Sequence, residues 1–337
     1  MVHNLSIYTA IPSSVINKEI IKLSNCFFLQ KVKEFYECVE LNTDISLNNE
    51  KEHLADIDLS QVLHPKIYLS LYNLQVSISS GVVSDVRTSL LELNNYIIQH
   101  INEQSKPLHY KIEDICHSAW EEEYVSYLNT YDQLDIAGNS VSVLPISNNI
   151  QLEFHKKNIE SAIKMIKVYD SELFSEISSF VTHIKVFKGE VLRGDTSARV
   201  LGSMWIRIPE PEDDQVGYWI EHIVHEVSHI RLEHIFLMEN LVLNSPNQKI
   251  FKAPIRDDLR PMKGIFHATF VLSRMIRIFR RLSINGGMQK RFRDRLQLCN
   301  LQYDIGIAST NHPKAKFSEN ALKIIGTLDE TRNCLVN

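Results

Sequence analysis

Nowhere in the 337 residues is there an uninterrupted apolar run of the roughly 20 residues that a bilayer crossing needs, so no membrane span is expected. The opening residues, Met1 to Ile7, lack a charged segment leading into a long apolar stretch, and no secretory signal is expected. Cysteine is scarce. The five residues (Cys26, Cys38, Cys116, Cys299, Cys334) are scattered, odd in number and form no C-x-x-C pair, which points to reduced thiols in a cytoplasmic compartment. There is no surplus of positive charge either: 36 Lys and Arg stand against 41 Asp and Glu, a net −5, and nothing in this balance calls for a nucleic-acid partner. Internal repeats and low-complexity tracts are missing. What remains, 44% apolar and 23% charged, is the composition of a soluble globular protein long enough for one large domain or two modest ones.

The periodicities predict a mainly α protein with a small β-sheet, an α+β arrangement. Helices are expected from Ser13-Ser14 to about Val39, Pro65 to Ser79, Ser84 to Glu103 and Ile112 to Tyr131, with a loop over Leu41 to Ser60. His100, His109, His117 and Trp120 read as ordinary helix residues, because no acid or histidine stands at ligand spacing from them. Residues 1–132 form an N-terminal helical region by this division, and 133–337 the region that carries the chemistry. Helices are expected over Lys156 to Tyr169 and Ser171 to Val181. Two strands follow, His183 to Phe187 and Gly202 to Ile208, the second stopped by Pro209 and Pro211. Further helices are predicted from Met262 to Gly286-Gly287, Lys290 to Ile307 and Ser318 to Leu328.

Between the second strand and Met262 lies the stretch that carries chemistry, Tyr218 to Glu233, with His225-Glu226-Val227-Ser228-His229 inside it. Four residues advance an α-helix by about 400°, so His225 and His229 point the same way from adjacent turns, as two imidazoles on one metal must. Glu226 lies about 100° round from His225, within reach of a metal-bound ligand. Trp219, Ile220, Ile223, Val224, Val227, Ile230 and Leu232 supply an apolar wall, while His222, His225, Glu226, His229 and Glu233 gather on one side. Polar residues grouped on an otherwise apolar helix are costly unless they meet water or a ligand.

Two helical histidines leave the third protein ligand open. The continuation H-x-x-G-x-x-H fails, because Leu232 and Ile235 occupy the glycine and histidine positions and His234 faces away. No Asp or Glu occurs between Glu239 and Asp257. The candidates are Asp257, Asp258 and His267, and a facial site of this kind suits Fe(II) as well as Zn(II). Arg256 and Arg260, held between Pro254 and Pro261, are suited to gripping a carboxylate bidentately, or to bracing their own loop through Asp257 or Asp258.

Taken together, Ile223-Val224-His225-Glu226-Val227-Ser228-His229 and Pro254-Ile255-Arg256-Asp257-Asp258-Leu259-Arg260-Pro261-Met262-Lys263-Gly264-Ile265-Phe266-His267 resemble a known pair of motifs. The α-ketoglutarate-dependent HExxH-type peptide β-hydroxylases, found beside ribosomally made peptide natural products, follow an L-V-H-E-x-x-H-like helix with P-W-R-x-D-x-R-P-x-x-G-x-x-H. The match runs from about Ser203 to Phe279. Ile255 replaces the aromatic residue, and Ala268 stands where glycine is expected. The resemblance implies a non-haem Fe(II) dioxygenase that uses 2-oxoglutarate and O2 to hydroxylate a side-chain carbon, Cβ by analogy, of a precursor peptide. His225, His229 and His267 would hold the metal, Arg256 or Arg260 (Arg260 is favoured) would meet the far carboxylate of 2-oxoglutarate, and Glu226 would orient the site.

The main rival is a zinc metallopeptidase with Glu226 as general base. A third class is a non-catalytic peptide-binding subunit. For the peptide, the Gly202 to Ile208 strand is expected to border the site and offer an edge for main-chain pairing. Arg274, Arg277, Arg280 and Arg281 form a stripe that reads as a solvated face, or as an attractor for an acidic peptide.

Overall fold

A computed structural model describes residues 6–104, 110–116, 118–130, 142–285 and 289–334. The protein is mainly α, 66% helical, with one four-stranded and one two-stranded sheet. The helices are α1 (Ser14–Asn42), α2 (Asn48–His53), α3 (Pro65–Ser80), α4 (Val83–Glu103), α5 (Ala119–Thr130) and α6 (Asn149–Tyr169). They continue with α7 (Ser171–Phe180), α8 (Gln215–Met238), α9 (Met262–Asn285), α10 (Gln289–Thr310), α11 (Glu319–Gly326) and α12 (Leu328–Asn333). The strands are β1 (Lys111–Asp114), β2 (His183–Phe187), β3 (Gly194–Asp195), β4 (Ser203–Arg207), β5 (Phe251–Lys252) and β6 (Leu259–Arg260). No described helix is long and apolar enough to cross a membrane.

Four expectations need correction or fall outside view. The helix expected over Ile112 to Tyr131 is instead β1 followed by α5, because Ile112 pairs in register with Ile184 of β2 and the edge of the sheet claims the segment. The polar Leu41 to Ser60 stretch contains α2 and a short 3-10 turn. The strand expected as a free edge, β4, is an inner strand: β2 runs parallel along it and β3 antiparallel on its other side, in the order β1-β2-β4-β3. One side is committed to β2 along its length, and on the other Trp205 and Ile206 are taken by β3, so the strand is not a free edge there. Gly286-Gly287, His109 and His117 lie outside the described residues.

The chain forms two compact units, Met1–Asn17 with Glu153–Ile177 and Pro209–Asn337, and Lys18–Leu152 with Ser178–Ile208. The second holds the four-stranded sheet. Its core joins Trp120, Tyr124 and Leu128 of α5 to Phe187 of β2, Trp205 of β4 and Leu69 of α3. The Trp205 ring lies 5.2 Å from that of Tyr124 and 6.2 Å from that of Trp120, offset geometries that aromatic pairs prefer. A buried ammonium completes this core: Lys185 Nζ on β2 lies 2.7 Å from Glu113 Oε2 on β1 and 2.8 Å from Glu121 Oε1 on α5.

The first unit carries α8, and the sequence starts that helix sharply. Pro209 and Pro211 prevent an earlier beginning, and Asp214 caps it by accepting from the Gly217 amide at 3.1 Å. Gly217 is needed there, because a Cβ would collide with the Asp214 carboxylate and with Arg291. On one side α8 packs on α9, and α9 in turn packs on α10.

Arginines organise this packing, contrary to both readings of the Arg274 stripe. Arg274 is fully buried, with Arg277 and Arg281 nearly so, and Arg231 of α8 is buried beside them. Arg274 Nη2 pairs with Glu176 Oε2 of α7, Arg231 Nε lies 3.2 Å from Glu176 Oε1, and Arg274 Nε donates to Ser228 Oγ of α8 at 2.9 Å. Arg277 and Arg281 share Asp170 Oδ2, at 2.6 and 2.9 Å. The N-terminal segment is tied down by the same groups: Arg231 donates to the Thr9 carbonyl at 2.6 Å and Arg274 to that of Ala10 at 2.7 Å. Arg280, at the helix flank, donates to Asn333 Oδ1 instead. These side chains face inward because carboxylates from α7 and the α6–α7 junction are there to meet them.

Candidate metal centre

Along α8, Glu221, His222, His225, His229 and Glu233 stay half-buried, while the rest of the helix between Ile220 and Ile235 is buried. Four of these (Glu221, His225, His229, Glu233) recur at every fourth position and so form one stripe. The His225 and His229 rings lie 4.9 Å apart, with their Nε2 atoms separated by 3.2 Å. Two nitrogens bound at roughly 2.0–2.1 Å to one ion, at angles between octahedral and tetrahedral, stand about 2.8–3.4 Å apart. The pair therefore fits a shared metal.

From α9, His267 reaches the other side of His229. The two rings stack at 5.6 Å, and His267 Nδ1 lies 3.3 Å from His229 Nδ1. His267 Nε2, buried and without a hydrogen-bond partner, is 3.5 Å from Glu233 Oε1. Phe236 stacks on the outer face of His267 at 4.9 Å, and the Lys263 ammonium sits 4.6 Å from the centre of the Phe236 ring. The structure thus joins His225 to His229 and His229 to His267, but through different nitrogens of His229. One nitrogen from each ring does not fall within 4.8 Å of the other two.

The electrostatics suit ligation. Burial lowers His225 to about 4, helped by the positive charge of His222 and of Arg295, and lowers His267 to about 3, with Lys263 adding to the effect. His229 is held well below its ordinary value, first by burial and then by the neighbouring imidazoles. Neutral imidazoles are what a metal requires. Burial pushes the Glu233 carboxyl up, against the pull of Lys263. Glu226 is buried at the margin of the stripe. At the helix's beginning Glu221 anchors α10, accepting from Arg295 Nη2, with Arg291 Nη2 at 3.7 Å.

Arg256 and Arg260 are engaged within their own segment. Arg260 belongs to the β5–β6 hairpin, where it pairs with Phe251. Asp258 meets both guanidiniums, with Arg256 Nε 3.6 Å from Oδ1 and Arg260 Nε 2.6 Å from Oδ2. The expected division, one arginine unpaired for a ligand and one bracing the loop, is not seen. Asp257 has no part in these pairs.

Sequence reasoning passed over Glu221, Phe236, Arg291 and Arg295. The four-residue spacing from Glu221 to Glu233 was a signal for the first; the others come from separate segments brought together by packing. It also passed over Glu113, Cys116 and Glu121, which offer ligand atoms within 4.8 Å of one another. That group already holds a cation, since Lys185 Nζ lies against both carboxylates and 4.0 Å from Cys116 Sγ. A metal there would have to expel a buried ammonium, so the donor set is not a fit. No family model matches this chain, and no curated protein matches it.

Proposed function

We propose that the chain is a non-haem Fe(II)- and 2-oxoglutarate-dependent dioxygenase that hydroxylates a side-chain carbon of a peptide, in keeping with the motif resemblance. The observation that carries this reading is the pair of neutral imidazole nitrogens, His225 Nε2 and His229 Nε2, 3.2 Å apart on adjacent turns of one helix. His267 approaches His229 from α9, the element that the second motif introduces, on the side of its Nδ1. Iron(II) with 2-oxoglutarate and O2 supplies the oxidising power: 2-oxoglutarate + O2 + R–H gives succinate + CO2 + R–OH.

The chain's own residues do the rest. His225 and His229 would hold the ion through their Nε2 atoms, His267 would complete the set only after its ring turns towards that side of His229, and the apolar back of α8 keeps the helix rigid. Glu233 Oε1, 3.5 Å from His267 Nε2, is placed to orient that ring once the two close to hydrogen-bond distance. Buried Glu226 fits an orienting carboxylate better than a base that must exchange protons with bulk water. Arg260, or Arg256, would grip the far carboxylate of 2-oxoglutarate, exchanging a single Nε contact with Asp258 for a paired one with the ligand.

The test is anaerobic loading with Fe(II) or Zn(II), followed by assays for succinate and for a gain of one oxygen in a peptide library. Iron-dependent succinate formation that His225→Ala and His229→Ala abolish is expected. Zinc-dependent peptide cleavage without 2-oxoglutarate would establish the peptidase instead. Neither activity, with no metal retained, would leave a binding subunit.

A further inference from the structure

His100 reads as an ordinary helix residue in the sequence, yet it is only 9% exposed and its Nε2 has no hydrogen-bond partner. It lies in the second unit on one face of α4 with Tyr96, Gln99 and Glu103, at the i, i+3, i+4, i+7 spacing that aligns side chains. These four line a small cavity with His64 and Lys66, the residues at the beginning of α3. An orphaned buried imidazole nitrogen on the wall of a cavity calls for a partner that the chain does not supply, and it is a donor in the tautomer that carries the proton on Nε2.

The wall opposite α4 favours an anion. The sixteen-residue helix α3 directs the positive end of its dipole there. Its cap is His64, whose Nδ1 accepts from the Lys66 amide at 3.2 Å. That bond leaves the proton of the neutral ring on Nε2, a second donor. Burial, with the charges of His183 and Lys66, keeps His64 neutral, lowered to about 2. The Lys66 ammonium is steadied 5.2 Å from the centre of the Tyr96 ring. Two carboxylates act on His100, Glu103 on this wall, to which Gln99 Nε2 donates at 3.2 Å, and Asp58, itself engaged by Ser60 and Gln61. A metal is not favoured, because His64, His100 and Glu103 do not bring ligand atoms within 4.8 Å of one another.

We propose that this cavity, between the beginning of α3 and the last two turns of α4, binds a small oxyanion, a phosphate or carboxylate group. His100 Nε2–H and Lys66 Nζ are its donors. The enclosed space, about 20 Å³, takes one water-sized oxygen, so one oxygen of the anion enters and the remainder stays in the mouth beside Lys66 and Tyr96.

The experiment uses the full chain with ¹³C-labelled histidine, titrated with sodium phosphate and separately with sodium acetate, each against sodium chloride at matched ionic strength. One histidine signal, assigned to His100 by its loss in His100→Gln, should move and saturate, and Lys66→Met should weaken that titration at least tenfold. Saturation by phosphate alone assigns a phosphate site, and saturation by acetate as well assigns a carboxylate site. If no histidine signal moves further than in chloride, or if Lys66→Met leaves the titration unchanged, the cavity holds resident water and the proposal fails. The Lys66→Met comparison needs no assignment, so it stands even if His100→Gln does not fold.

Discussion

Replacing Glu176 by Gln removes one charge and little volume from the interior of the first unit. Its carboxylate meets two guanidiniums, Arg231 and Arg274, both fully buried. Burial lowers each arginine to about 9, and a guanidinium gives up its proton so reluctantly that both charges are stranded when their counter-ion is lost. Breaking one buried pair costs about 3–5 kcal/mol, and here two cations lose the same anion, which places the loss near about 5 kcal/mol. That is a large part of the roughly 5–15 kcal/mol that holds a domain folded. Urea unfolding at pH 7.5, followed by circular dichroism, should show the shift in the transition of this unit. The triple change Arg231→Met, Glu176→Met, Arg274→Met should recover part of it, because no charge is then stranded. Recovery should be incomplete, since the Thr9 and Ala10 carbonyls lose their donors at a cost of about 1–3 kcal/mol each if they stay buried. A loss below about 1 kcal/mol in Glu176→Gln would refute the assignment of an ion-paired core.

His267→Gln should weaken Fe(II) binding more than 100-fold by titration calorimetry if His267 is a ligand; a loss of about 10–100-fold with unchanged stoichiometry would make it a positioning residue instead. Asp258→Asn should tighten 2-oxoglutarate binding up to about fivefold, the worth of an exposed ion pair of about 1 kcal/mol, and unchanged or weaker binding would remove Asp258 as the competing carboxylate. His64 and His183 are both lowered, to about 2 and about 4, with burial the leading cause. Their neutral forms stabilise the fold fully above pH 6.5, and that contribution is lost as pH falls through 6.5 towards the folded values; by pH 5 it amounts to about 2 kcal/mol for each group. His64→Asn, which keeps a side-chain acceptor for the cap, should flatten the decline in urea midpoint between pH 7.5 and 5.

The fold class was legible because the helices open on clear signals: α3, α4, α8 and α9 begin within a residue or two of proline, serine or aspartate in the chain. β1 was not, since Lys111-Ile112-Glu113-Asp114 runs into a helix-like sequence, and its pairing partner stands some seventy residues away, at Ile184. β4 was found as a strand but not as an inner one. Two-residue β3 has no period of its own, and it takes the side of β4 that would otherwise be open. Short partners of this kind are invisible to any local window.

The arginines show where charge reading stops short. Arg274, Arg277 and Arg281 look like a solvated face because a guanidinium in isolation belongs in water. What turns them inward is Asp170 and Glu176, about a hundred residues earlier, and no spacing rule links the two segments. The histidines of α8 obey the opposite logic. His225 and His229 depend on each other within one helix turn, so their pairing follows from sequence alone. His267 depends on how α9 meets α8, and the ion pairs of Arg231 and Arg274 with Glu176, with the bond from Arg274 to Ser228, set that meeting. The geometry at the third histidine is therefore governed by a buried charge cluster on the far side of the same helix. A change at Glu176 should reach the histidines through the packing of α8 on α9, without touching any of them.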